Sequence, residues 1–201
     1  MEPELQNSED RWLAKARDGD SEAFANIVEA YQAAVFNLCY RMLGNAGDAE
    51  DAAQETFIRA FKALKRYDPD RKFSTWLLSI ASNYCIDQLR RRRLQTFSMD
   101  GLTAPDIADA KPGIEREITL NEEQEQVREM LAELNPTDRA AVVLRYWYEF
   151  SYEEIAEQLS LTVSAVKSRL HRSRHDLAVL WERNQSSAPA LERTQHESPA
   201  F

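Results

Sequence analysis

The chain has 201 residues, room for one medium domain or two small ones. With 5 glycines, 7 prolines and no sustained alternation of apolar and polar residues, its composition argues against a sheet-rich fold and for long helices. The formal charge of −9 argues against a uniformly basic nucleic-acid binder, but electrostatic binding depends on where charge lies, and its sign changes along this chain.

Residues 1–19 are polar and acidic, periodic only at Trp12, Leu13 and Ala16, and read as a frayed lead or a short helix. Gly19, Asp20 and Ser21 supply a break and candidate N-caps. Phe24, Ile27, Val28, Tyr31, Val35, Leu38 and Met42 then recur at helical spacing up to Gly44. Asp48 is the expected N-cap of the next helix, whose inner face is Ala49, Ala52, Ala53, Phe57, Ala60, Phe61 and Leu64. Its acidic end, Asp48 to Glu55, has three readings: dipole complementarity, a docking surface for a basic partner, or a divalent-cation site on Asp51 and Glu55. No histidine, second acidic motif or nucleophile accompanies that pair, so the metal site ranks last and no cofactor is expected.

Asp68-Pro69 breaks the helix before a short basic loop, and Ser74 or Thr75 is the expected cap of the stretch that follows. In that stretch Phe73, Leu77, Ile80 and Tyr84 form an apolar stripe suited to a core. Trp76, Ser79, Asn83, Asp87 and Arg90 form a second stripe of aromatic, amide and charged groups. From Lys65 to Arg93, eight cations stand against three carboxylates, a local charge of +5 in an acidic chain. Cations interleaved with ring planes suit a nucleic-acid strand, although the four arginines at Arg90 to Arg93 also suit a helix C-terminus.

After Leu94 the periodicity dissolves into a linker, 95–119, punctuated by Gly101, Pro105, Pro112 and Gly113. Between Asp100 and Glu133 acidic residues dominate, read as solvation or as a mimic of nucleic acid. A second helical block, 120–183, has one helix ending at Asn135-Pro136, another capped by Thr137, and then a short helix burying Ile155, Ala156 and Leu159. Ser160, Leu161 and Thr162 turn the chain into a longer basic helix anchored by Val163, Val166 and Leu170, the form of a helix-turn-helix. Its outward Ser164, Lys167, Ser168, His171 and Arg172 suit base edges and phosphates in a major groove. The tail, 184–201, is polar and expected to be disordered. Cys39 and Cys85 lack metal or disulfide spacing and read as small helical residues. No leader-like segment is present and no run approaches the ~20 apolar residues of a membrane span, so a cytoplasmic protein without membrane insertion is expected. The fold expected is all-α: two small helical domains, 20–94 and 120–183, joined by a flexible linker, the second a helix-turn-helix domain.

With both blocks in hand, the chain resembles the extracytoplasmic-function group of bacterial sigma factors, the promoter-recognition subunits of RNA polymerase. DAEDAAQETFIRAFKAL and FSTWLLSIASNYCIDQLRRRR look like their second conserved region, and LNPTDRAAVVLRYWYEFSYEEIAEQLSLTVSAVKSRLHRSR like their fourth. The resemblance implies that Asp51, Gln54, Glu55 and Phe57 dock on the clamp coiled coil of the largest subunit of core RNA polymerase. It implies that Tyr67, Arg71, Lys72, Trp76, Asn83, Asp87 and Arg90 open the minus-ten element and hold an unpaired base. It implies that Ser164, Lys167, Ser168, Arg169, His171 and Arg172 read the minus-thirty-five element. Promoter DNA, duplex and melted, is thus an expected partner, as is an anti-sigma factor, and no covalent chemistry is expected. Many members of that group carry glycine at Ser160, and Gly-Leu or a similar pair where this chain has Glu149-Phe150; Ser160 must then turn without glycine's freedom, which bears on the angle between the two helices of the motif. Two rivals remain: a polymerase-independent helix-turn-helix regulator, and a small metal-dependent enzyme built on Asp51 and Glu55.

Overall fold

The computed structural model describes residues 2–99 and 122–187. They form α1 (Glu2–Arg17), α2 (Ser21–Leu43), α3 (Ala46–Ala63), a 3-10 turn (Leu64–Arg66), α4 (Phe73–Met99), α5 (Glu122–Glu133), α6 (Pro136–Trp147), α7 (Tyr152–Gln158) and α8 (Val163–Ser187), with no strand among the described residues. The punctuated part of the expected linker and most of the polar tail lie outside the described residues. The helices on either side reach further than periodicity indicates, α4 to Met99 and α8 to Ser187.

Caps decide where the helices begin. The Asp20 carboxylate accepts from the backbone N–H groups of Glu22 and Ala23 at 2.9 and 3.1 Å, and Gly44, at φ 76°, closes α2 by donating to Tyr40 O. Asn45, rather than Asp48, caps α3: its extended backbone lets its side-chain oxygen accept from Asp48 N at 3.0 Å, leaving Asp48 in the first turn. α4 starts at Phe73, so Ser74 and Thr75 lie inside its first turn instead of capping it. Asn135, not Thr137, caps α6, because Pro136 fits the first helical position, where a missing N–H costs nothing. Ser151 and Glu154 close a reciprocal capping box on α7, with bonds of 3.0 and 2.7 Å.

α2 is the central helix, packed against α1, α3, α4, α5 and α6. It buries Ile27, Val35, Leu38, Cys39 and Met42. On α3, buried Ala49, Ala52 and Ala60 let the backbones approach, and the buried Thr56 hydroxyl donates to Ala52 O at 2.7 Å. The core face of α4 is rotated from the spacing-based stripe. Leu77, Leu78, Ala81, Ser82, Cys85 and Ile86 are buried, whereas Ile80 and Tyr84 are only half-buried. The thiols of Cys39 and Cys85 are free. The N-terminal lead is a helix held to the body: Leu13 and Ala16 are buried, and the Tyr31 hydroxyl donates to the Glu9 carboxylate at 2.5 Å.

The two helical units do not stand apart. One continuous core runs from α1–α4 into α5–α8, and the seam is built on the C-terminal end of α2. A helix leaves its last carbonyls without intrahelical partners, and here arginines from the second unit supply them. Arg139 donates to Met42 O at 2.5 Å, and also to Ala132 O and Leu134 O at the end of α5, at 2.6 and 3.4 Å. Arg128 donates to Gly44 O. Tyr148 donates to Ala34 O at 2.8 Å, and the Arg41 guanidinium lies 5.3 Å over the Trp147 ring. Arg139 is 7% exposed, and that burial lowers its pKa from the ordinary arginine value.

Candidate nucleic-acid and docking interfaces

The start of α4 is organised by a nest of rings. Tyr67 meets Phe73 edge-on at 5.4 Å and Trp76 tilted at 5.1 Å, while Tyr31 closes on Phe73 from α2 at 5.4 Å. The Tyr67 hydroxyl donates to Arg71 O, which ties the basic loop to the nest. Burial first, and then the carboxylates of Glu9, Asp10 and Asp68, raise the Tyr67 pKa, so the ring stays neutral. Tyr67 is 5% exposed and supports the site from beneath, whereas half-buried Trp76 faces a cleft of about 530 Å³. Arg71, Lys72, Thr75, Ser79 and Asn83 share this cleft, cations at one end and amide and hydroxyls beyond, an arrangement suited to a stacked base and its phosphate. Asp87 and Arg90 lie further along α4 and are exposed; Arg90 reaches Thr137 Oγ1 at 3.4 Å. Thr75, expected from the sequence only as a candidate cap, belongs to the cleft; it stands four residues before Ser79, on the same helical face.

The opposite wall of the cleft comes from α7. Glu157 pairs with Arg71 at 2.7 Å, Glu154 accepts from Thr75 at 3.3 Å, and the Gln158 amide donates to Ser79 O and Ser82 Oγ at 2.8 and 2.9 Å. No periodicity in the sequence announces these contacts, because they join positions 76 to 86 residues apart.

On α3, Asp51 and Gln54 are exposed. Glu55 is half-buried and bonds Arg59 at 2.7 Å one turn on, and Arg59 in turn covers Tyr84 at 4.7 Å. Asp48 pairs with Arg92 at 2.6 Å. Phe57 points into the core, 8% exposed, while Ile58 and Phe61 are the exposed apolar groups of this helix, at 47% and 44%. Among the described residues, no group of three or more His, Cys, Asp or Glu side chains could hold a metal ion.

The turn before α8 has Ser160 at φ 53°, and the loop before α7 has Glu149 at φ 57°, so both positions adopt the left-handed conformation without glycine. Leu161 N donates to Ala156 O at 2.8 Å across the turn, and the Thr162 hydroxyl accepts from Ala165 N at 3.1 Å at the start of α8. Ser164, Lys167, Ser168, His171 and Arg172 are exposed, the last four around one shallow concavity. Arg169 differs: it is half-buried and bonds Asp138 at 2.7 Å, pinning α8 to α6. The Tyr152 ring lies between Arg145, at 4.8 Å, and Lys167, at 5.3 Å, which steadies the stem of Lys167.

Two family models match, Sigma-70 region 2 over residues 27–95 and Sigma-70, region 4 over residues 124–177. The chain is 38% identical over 173 residues to the ECF RNA polymerase sigma factor SigW of Bacillus subtilis, covering 82% of this chain and 92% of that protein. Its fold is similar to that of CnrH in complex with the cytosolic domain of CnrY, with a TM-score of 0.64 and 27% identity over 88% of this chain and 99% of that one. It is also similar in fold to the sigma factor RpoE of Bartonella quintana, solved with the anti-sigma factor NepR, with a TM-score of 0.63 and 23% identity over 79% of this chain and 96% of that one. Among the described residues no helix is long and apolar enough to cross a membrane.

Proposed function

This chain belongs to the extracytoplasmic-function sigma factors of RNA polymerase, and on that premise we propose how its surfaces divide the work of initiation. The protein binds core RNA polymerase and directs it to promoters. α3 is the docking face, with Asp51 and Gln54 presented to a basic coiled coil of the clamp and Ile58 adding apolar contact beside them. Phe57 serves from below, by holding the helix to its core. α4 is the strand-capture face: Trp76 stacks on an unpaired base, Asn83 and Ser79 meet base and sugar edges, and Arg71 and Lys72 take phosphates. Asp87 and Arg90 follow the duplex edge of the same element. α8 reads the upstream duplex with Ser164, Lys167, Ser168, His171 and Arg172.

The observation that carries this reading is the cleft over Trp76, which joins a ring plane to two cations on a chain that also carries a helix-turn-helix with an open polar face. The functional boundaries are 20–94 for docking and the minus-ten element and 120–183 for the minus-thirty-five element. Two DNA surfaces on one polymerase-bound chain raise each other's effective concentration, so neither needs high affinity alone. The protein acts in the cytoplasm, where polymerase and promoters are, contributes no covalent step, and is open to control by an anti-sigma factor that covers these same faces.

The test is transcription in vitro from a pool of genomic promoter fragments by core polymerase with and without the chain. Start sites that appear only with the chain support the reading. Core binding without such starts, or sequence-specific duplex binding without polymerase, overturns it. Asp51→Arg places a cation against the clamp and is expected to reduce core pull-down by tenfold or more.

A further inference from the structure

The acidic first helix of the helix-turn-helix lies against the face assigned to the melted strand, and its contacts resemble those of the ligand that face awaits. The Glu157 carboxylate sits on Arg71 at 2.7 Å, where a phosphate oxygen would sit. The Gln158 amide donates to Ser79 O and Ser82 Oγ, offering the planar hydrogen-bonding edge that a base would offer beside Trp76. Glu154 accepts from the Thr75 hydroxyl at the same wall. From these contacts we infer that α7 is an intramolecular ligand of the strand-capture face, a decoy that closes this face in the free chain and yields it to DNA once polymerase holds the chain open. The inference rests on the assignment of the Trp76 cleft to a melted strand.

The character of the contact sets it apart from the seam at the end of α2. There Arg139 is buried and the core is continuous. Here the Arg71–Glu157 pair is 57% and 60% exposed, and the wall is polar, open and interrupted by the cleft. An exposed ion pair adds little to stability and is screened by salt, so this contact gives way readily to a competing polyanion. Glu50, Asp51 and Gln54 of α3 and the outer cations of α8 are meanwhile exposed. Docking on polymerase and a first encounter with the upstream duplex are therefore open to the closed chain, while strand capture is withheld. The partner that fits the α4 face is thus either this chain's own α7 or single-stranded DNA, never both.

The experiment uses the full chain without polymerase and a fluorescein-labelled, random-sequence 12-mer of single-stranded DNA, read by polarisation. Glu157→Gln combined with Gln158→Ala removes the ion pair and both amide bonds. It is expected to tighten binding about tenfold, because the population held closed no longer subtracts from the apparent affinity. Glu153→Gln removes the same charge from an exposed position of the same helix and is expected to change binding less than twofold. Equal gains in the two variants would mean that general charge is responsible and overturn the decoy. Adding Trp76→Ala to the double variant is expected to abolish the gain. A gain that survives Trp76→Ala would instead strike at the strand assignment itself, and the decoy falls with it. If the double variant gains nothing while Trp76→Ala still impairs promoter opening by the polymerase complex, the decoy is wrong and the strand assignment stands.

Discussion

Replacing Arg139 with alanine removes the fork that joins the ends of α2 and α5. Its Nη1 bonds Met42 O at 2.5 Å and its Nη2 bonds Ala132 O at 2.6 Å, with a longer third contact to Leu134 O. Charge-assisted hydrogen bonds contribute about 1.5–3 kcal/mol each. Against this stands the desolvation that the guanidinium suffers, visible in its lowered pKa and in an Nε without a partner. Two strong bonds less this offset leave a net loss of about 3 kcal/mol, since the carbonyls left behind have no replacement donor in the core. For a chain of this size that corresponds to a fall in Tm of roughly 6–12 °C. The assay is urea denaturation followed by far-ultraviolet circular dichroism and, in parallel, by tryptophan emission. Wild type should show one coincident transition, because a single core spans both units, and Arg139→Ala should split it, with α5–α8 melting first. A single transition displaced by less than about 0.5 kcal/mol, a value typical of a surface change, would refute the view that this arginine is the joint.

Lys167→Ala and Arg169→Ala should part company. The first is expected to keep Tm while weakening use of the upstream element and lowering the salt slope of duplex binding by about one; the second, which breaks the Asp138 pair, should lower stability by about 1 kcal/mol, as thermal denaturation beside footprinting would reveal. Ser160→Gly relieves a left-handed serine at φ 53° and is expected to stabilise the fold by roughly 0.5 kcal/mol after the added freedom of the unfolded chain is subtracted; a measurable loss in urea titration would mean that the serine side chain, not the backbone, sets the turn. Burial pushes the Tyr148 hydroxyl up to about 12, and Tyr31 and Tyr67 are raised as well. Their raised pKa values contribute stability that is complete below about pH 10. For Tyr148 it is lost between pH 10 and about 12, so circular dichroism across that window should record cooperative melting steeper than in Tyr148→Phe.

Much of the architecture was legible because periodicity and caps are local. The helices, the turn at Ser160 to Thr162 and the exposed row from Ser164 to Arg172 follow from spacing alone. Structure and local signal part where two local signals compete. Asp48 and Asn45 are both good caps, and only backbone conformation shows that Asn45 takes the position. On α4, Ile80 and Tyr84 look more apolar than Ala81, Ser82 and Cys85, yet it is the smaller residues that are buried. Arg169 shows the limit of helical-face reasoning. It belongs to the basic set by type, but half-buried Asp138, 31 positions earlier, claims its guanidinium. The α7 wall of the cleft was illegible for the same reason, since nothing local couples Gln158 to Ser79.

The arginine caps on α2 also impose an order in time. Met42 and Gly44 leave the ribosome 97 and 84 residues before the arginines that satisfy them, and Ala34 precedes Tyr148 by 114. At a synthesis rate of about 5–20 residues per second, the end of α2 waits roughly 5–20 s with its carbonyls held only by water. During that interval α1–α4 can assemble through short-range contacts, and the closing of the chain becomes the last and slowest step because it joins its most distant parts. A nascent chain therefore displays the Trp76 face of α4 before α7 exists to cover it.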